Sequence, residues 1–303
     1  MENQRFSSKY GFTVSLLALM IVAILWVFNA GKATITGAPE LTSTMLILLI
    51  ITGLAAGLLG GWTGTGGCSI MLPVLHFWLG FPAPLAVGTT LFAVIFTAIS
   101  GGYGHFKQKN LDVRVALWLG GFGIIGVLLG SWLFTYLSTQ SKLLGLIIGI
   151  VFLWPAIRMI REGIAKGMPG AVMEGSSIDA APGGLTVFGI AVGTLTGLVG
   201  LGGGYALVPG LIYLFGAPVY ITMGTSLATM IPMAVIGGGI KLAQGYVVLG
   251  AALVLAVGTI IGVQIGAATI KKFKPNTLKL IFGIYFLYVA IKYIGNYFGI
   301  PVW

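Results

Sequence analysis

Two glycine-rich tracts hold the residues best suited to chemistry in this chain. Gly64-Thr65-Gly66-Gly67-Cys68-Ser69 and Gly200-Leu201-Gly202-Gly203-Gly204 each lead into a short apolar stretch that reaches a proline, Pro73 or Pro209. A helix opening after such a tract has free first-turn N–H groups, with the positive end of its dipole beside them. That end attracts anions, and glycine lets an oxyanion approach the backbone closely. Downstream, Gly88-Thr89-Thr90 and Gly224-Thr225-Ser226 repeat one Gly-Thr-Thr/Ser pattern. The hydroxyls of Thr63, Thr65, Ser69, Thr89, Thr90, Thr225 and Ser226, with Tyr205 beside the second tract, complete a candidate site for a small anion. The competing reading is that the glycines only allow helices to cross closely.

The placement of the acids supports the first reading. Glu2, Glu40, Asp112, Glu162, Glu174 and Asp179 all fall in predicted loops or tails. Cation pumps and proton relays set carboxylates inside the membrane, so those functions lose their usual signature. A lone cysteine, Cys68, excludes an intrachain disulfide and any cysteine-based metal cluster. It stands where the second tract has its third glycine and reads as a small packed residue. His76 is expected mid-span and matches an isoleucine in the other half, so hydrogen bonding within the bundle competes with a proton-linked role. Gln108 and Gln244 occupy matching positions, which gating or helix capping would explain. His105 and Lys241 stand at span ends, as interface anchors would. No nucleophile–base pair and no metal cluster is expected within the spans, so an enzyme is the weaker class and neither cofactor nor metal is expected.

The elements that must position these residues are membrane helices. Of 303 residues, 57% are hydrophobic and 7% charged, and the mean hydropathy is +1.05. Soluble domains carry about a quarter charged residues. The net charge of +10 comes from short basic clusters between apolar runs, without the aromatic interleaving of a nucleic-acid module, and so reads as topology. Runs long enough to cross the bilayer are predicted at Phe12–Ala30, Ser43–Gly60, Leu85–Gly104, Val115–Leu137, Leu143–Ile157, Leu185–Gly200, Thr222–Ile240, Val247–Ile270 and Thr277–Tyr293. If both glycine-rich segments also cross, twelve Lys/Arg lie on the inner side and Lys32, Lys142, Lys241 and Lys292 lie outside. If neither crosses, the split is seven against nine, so the positive-inside rule favours eleven crossings. The first run is read as a retained helix rather than a secretory signal, because it exceeds a usual signal core and no clean small-x-small site follows.

The chain is duplicated. Displaced by 136 residues, 57–134 lies on 193–270 without a gap, and 26 of the 78 pairs are identical. Gly126/Gly262 and Gly130/Gly266 form a GxxxG stripe in each half, a packing feature. Five crossings per half would leave the halves oppositely oriented, and inverted repeats with interrupted helices at matching places point to a secondary transporter. The expected fold is therefore an all-α polytopic membrane protein with two inverted repeats, glycine-rich broken or re-entrant helices, and an extra N-terminal helix. Its expected divisions are a tail and first helix over 1–42, a first repeat over 43–161, a cytoplasmic linker over 162–184 and a second repeat over 185–303.

The tracts 57–73 and 197–209, with the Gly-Thr-Thr/Ser downstream and the duplicated architecture, resemble the TauE/SafE sulfite-exporter family from about Ser43 to Tyr293. The resemblance implies transport of sulfite, sulfoacetate or related sulfonates across a bacterial inner membrane. The residues alone reach only a small anion. Efflux is expected, because expelling a negative charge from a negative interior needs no coupling ion. The rivals are an anion channel or facilitator, a proton-coupled importer of the same anions, and a structural subunit. Expected partners are the anion and the lipid bilayer, with a homodimer as an open expectation and no nucleic acid.

Overall fold

The computed structural model describes residues 2–164, 175, 177–269, 275–300 and 302; side chains are described outside 2–10 and 275–279. The expected linker residues Met168-Pro169-Gly170, Glu174 and Ser176, and the basic residues Lys166, Lys271, Lys272 and Lys274, lie outside the described residues. The described elements are helices: α1 Glu2–Asn29, α2 Ser43–Thr63, α3 Cys68–Pro73, α4 Ala83–Lys107, α5 Val113–Leu137, α6 Ser141–Ile164, α7 Pro182–Val199, α8 Gly204–Phe215, α9 Val219–Ala243, α10 Leu249–Thr269 and α11 Pro275–Phe298. A π-helical turn, Val74–Trp78, continues α3. Nine of these helices are long and apolar enough to cross a membrane, and Cys68–Trp78 and Gly204–Phe215 are shorter apolar helices.

Glycine sets how closely the helices approach. A Cβ on Gly57 would lie 2.5 Å from the Thr259 carbonyl oxygen, and one on Gly61 2.6 Å from that of Val263, so α2 and α10 touch backbone to backbone. The order of contacts, Gly53 with Leu255, Gly57 with Thr259 and Gly61 with Val263, means that α2 and α10 run in the same direction. Gly189, Gly193 and Gly197 meet Leu119, Gly123 and Val127 in the same way, pairing α7 with α5. Adding 136 to each residue of the first set, or subtracting it, gives the second set with the halves exchanged. The GxxxG glycines obey the same rule: Gly126 meets Ile190 and Gly262 meets Leu54. At the centre, Gly101 packs on Leu227 and Gly237 on Leu91, so α4 and α9 run antiparallel. Thr97 Oγ1 donates to Thr259 Oγ1 (2.7 Å) and Gln264 Nε2 to the Ser100 carbonyl (2.6 Å), tying α4 to α10 in parallel.

These seams are a stability prediction. Gly57→Val drives two methyl groups into the α10 backbone, and overpacking of this kind costs about 1–3 kcal/mol. Gly121 lies on α5 with nothing within 4 Å of a built Cβ, so Gly121→Val serves as the control. Thermal unfolding in detergent is expected to fall by several degrees for the first and to change little for the second.

Candidate functional site

Each glycine tract folds as the same turn. Gly64, Gly66 and Gly67 have φ of 71°, 71° and 73°; Gly200, Gly202 and Gly203 have φ of 73°, 65° and 83°. L side chains rarely adopt this left-handed region. The turns end α2 and α7 and open α3 and α8, whose N-caps, Gly67 and Gly203, have no side chain to satisfy the first N–H groups. The two turns lie against each other. A Cβ on Gly204 would lie 2.5 Å from Thr65 Cα, and Cys68 Sγ bonds to the Leu201 carbonyl as well as to that of Thr65 (3.2 Å). Gly66 and Gly202 both abut Val94 and Met230, which are themselves a repeat pair.

A cavity of about 110 Å³ opens beside this junction. Thr63, Thr65, Gly67, Ser69 and Tyr205 line it, together with Arg158 and Glu162 of α6 and Tyr213 of α8. Tyr205 is 6% exposed and its hydroxyl has no hydrogen-bond partner. The threonines are less available. Thr63 Oγ1 donates to the Leu59 carbonyl (2.8 Å) and is paired with Thr65 Oγ1 (2.8 Å). Both protons are then spent in one chain, Thr65 to Thr63 to Leu59. The donors left for an anion are the hydroxyls of Ser69 and Tyr205 and the leading N–H groups of α3 and α8 ahead of Ile70 and Ala206, whose N–H groups donate to the Gly67 and Gly203 carbonyls.

The other expected residues are placed differently. Gly64, Gly66, Gly200, Gly202, Gly203 and Gly204 shape the turns without lining the cavity, and Cys68 is fully buried as their tie. Thr89 and Thr225 do not line the cavity: their hydroxyls accept from Val248 N (3.0 Å) and Asp112 N (2.9 Å), fastening the loops that enter α10 and α5. Thr90 and Ser226, one residue on, are fully buried and have no partner. His76 is not mid-span. It sits in the π-helical turn ending the first short helix, with Nδ1 2.8 Å from the Phe81 carbonyl oxygen and its ring stacked on Tyr293 at 5.3 Å. Gln108 and Gln244 are the C-caps of α4 and α9, and donate to the Ala267 carbonyl (2.8 Å) and Thr135 Oγ1 (3.1 Å).

His105 and Lys241 are corrected as well. Both are fully buried rather than at an interface, His105 Nε2 lying 3.4 Å from the Gly61 carbonyl oxygen and Lys241 Nζ 3.3 Å from the centre of the Phe134 ring. Glu162 is the largest correction. It belongs to the last turn of α6 and not to a loop, and it lines the cavity in an ion pair with Arg158, Nε to Oε1 3.1 Å. The site is therefore not free of carboxylates. The signal was the Arg158-x-x-x-Glu162 spacing, which places both on one helix face if the helix continues past Ile157.

Helices of crossing length and a two-fold exchange of contacts mark a multi-pass membrane protein. The chain belongs to a family: residues 49–293 match the family model of the sulfite exporter TauE/SafE. The probable membrane transporter protein YdhB of Bacillus subtilis is 30% identical over 223 residues, spanning 74% of this chain and 89% of its own length. YunE, another probable membrane transporter protein of that organism, is 27% identical over 270 residues, with 82% and 97% covered. A sulfite exporter TauE/SafE family protein 3 of Arabidopsis thaliana shares 32% identity over 95 residues, 31% of this chain and 20% of its own. No solved structure matches the chain.

Proposed function

We propose that this transporter carries a small sulfur-containing anion, such as sulfite, sulfoacetate or a related organosulfonate, out of the cell across a bacterial inner membrane by alternating access. The observation that carries the reading is the Tyr205 hydroxyl, buried without a partner beside the second glycine turn, on a residue whose side chain lines the cavity. A buried hydroxyl without a partner is costly, and a bound oxyanion would supply one. The sulfur chemistry comes from the family alone.

The halves are proposed as inverted repeats over 43–161 and 185–303, with 162–184 joining them and 1–42 added in front, and with both glycine-rich segments crossing as interrupted helices. The antiparallel run of the matched helices α4 and α9 supports this. An asymmetry between matched residues supports alternating access. Val208, Pro209 and Met223 are half-buried on the cavity wall, whereas their counterparts Leu72, Pro73 and Val87 are fully packed. One wall is open while its copy is closed, as expected of a single state in such a cycle.

With the interior negative, 100 mV favours expulsion of a monoanion by about 2.3 kcal/mol, roughly a fiftyfold concentration ratio. Efflux of radiolabelled sulfite from proteoliposomes is expected to accelerate when the lumen is made negative and to ignore a pH gradient at clamped voltage. Flux that follows the pH gradient and not the voltage contradicts uncoupled efflux.

A further inference from the structure

The cavity is lined by a charge pair of which only the cation has a counterpart in the other half. In α6 and α11 the repeat offset is 134, with Leu146–Ile160 lying on Leu280–Ile294 at nine identities, so Arg158 corresponds to Lys292 and Glu162 to Asn296. Arg158 Nε donates to Glu162 Oε1 at 3.1 Å, and its guanidinium carbon lies 3.3 Å from the centre of the Tyr213 ring. Their side chains are 31% and 14% exposed, and both line the same cavity as Ser69 and Tyr205. An arginine has five N–H donors in a planar fork, and the fork matches an oxyanion as well as it matches a carboxylate. The ring beneath the guanidinium fixes its plane. What lines the cavity here is a pre-oriented cation whose resident ligand is a carboxylate of this same chain.

We propose that Arg158 is the anion-recruiting residue of this transporter, and that Glu162 is its built-in competitor, which the incoming anion displaces. The inference rests on the anion-transport reading above and extends it with the residue that selects charge and the face that captures. Capture is from the end of the bundle where α6 stops, because the matching cation of α11, Lys292, has asparagine (Asn296) and not an acid four residues on. The positive-inside count assigns that end to the cytoplasm, which is the side an exporter must load from. Glu162 has a second effect. Two negative groups around one cation repel each other, so the bound anion is held less tightly than Arg158 alone would hold it. Release after the conformational change then needs no further partner.

The pair therefore has opposite signs in its two members, which an ordinary structural ion pair does not. Sulfite binding to the purified full-length protein would be followed by ligand-dependent thermal shift and by equilibrium titration. Arg158→Gln is expected to weaken sulfite by tenfold or more, and Glu162→Gln to tighten it severalfold. Arg158→Lys should recover only part of the loss, since the fork geometry is gone. Parallel losses in Arg158→Gln and Glu162→Gln, or an Arg158→Gln protein with unchanged affinity, overturn the exchange while leaving anion transport in place. A wild-type protein that responds to none of sulfite, sulfoacetate, sulfate and chloride overturns both readings.

Discussion

Gly204→Val is expected to abolish transport, with flux in proteoliposomes at least a hundredfold below wild type. Gly204 has an ordinary helical backbone, so a side chain there causes no strain of its own. The effect is purely one of space. A Cβ meets Thr65 Cα at 2.5 Å and the Thr65 carbonyl carbon and oxygen at 2.8 Å, all of them backbone atoms. To accept valine the two turns must separate, and with them the first N–H groups of α3 and α8 that are proposed to face one ligand. Positioning errors of about 1 Å at such constellations cost on the order of a hundredfold in rate. Gly239→Val is the matched control, since Gly239 lies in helical α9 with open space around a built Cβ and should transport normally. Both proteins should insert and purify, because the overpacking penalty of about 1–3 kcal/mol is borne by one junction. Equal activity in the two variants would remove the junction from the transport cycle.

Tyr205→Phe carries the second large effect, and its two readouts should move apart. In the empty protein the Tyr205 hydroxyl is buried and unpaired, so deleting it removes a desolvated polar atom and leaves the ring packing unchanged. Thermal stability without ligand should hold or rise slightly. Sulfite affinity should fall, since a hydrogen bond to a charged group is worth about 1.5–3 kcal/mol, roughly ten- to a hundredfold. A tyrosine that merely fills space would show neither change. A variant that is destabilised yet binds sulfite as before would place the hydroxyl's function elsewhere.

Much of this arrangement is readable from the chain because it is a consequence of local backbone rules applied twice. A glycine triplet at one spacing in both halves demands two left-handed turns, and the offset of 136 predicts the reciprocal seams of α2 with α10 and of α7 with α5, from Gly57–Thr259 to Gly193–Gly123. The hydroxyl assignments were readable only in part. Thr89 and Thr90 are adjacent and chemically alike, yet Thr89 is taken by the Val248 amide while Thr90 is left unpaired. Which of them is occupied depends on where a loop 159 residues away arrives. Glu162 was missed for a different reason. Hydropathy falls at Arg158, so the predicted span ended at Ile157, but the i,i+4 ion pair lets α6 continue to Ile164 and turns both charges toward the cavity. Lys241 shows the same blindness, since hydropathy cannot know that Phe134 will lie beneath the ammonium group.

The most direct measurement is a structure of the full-length protein determined with sulfite bound, at a resolution that separates the anion from water. The account predicts an anion in the cavity, within hydrogen-bond distance of Tyr205 Oη and Ser69 Oγ and facing the leading amides of α3 and α8. An anion seated away from both glycine turns, with Tyr205 Oη still unpaired and the cavity filled only by lipid or detergent, would contradict it.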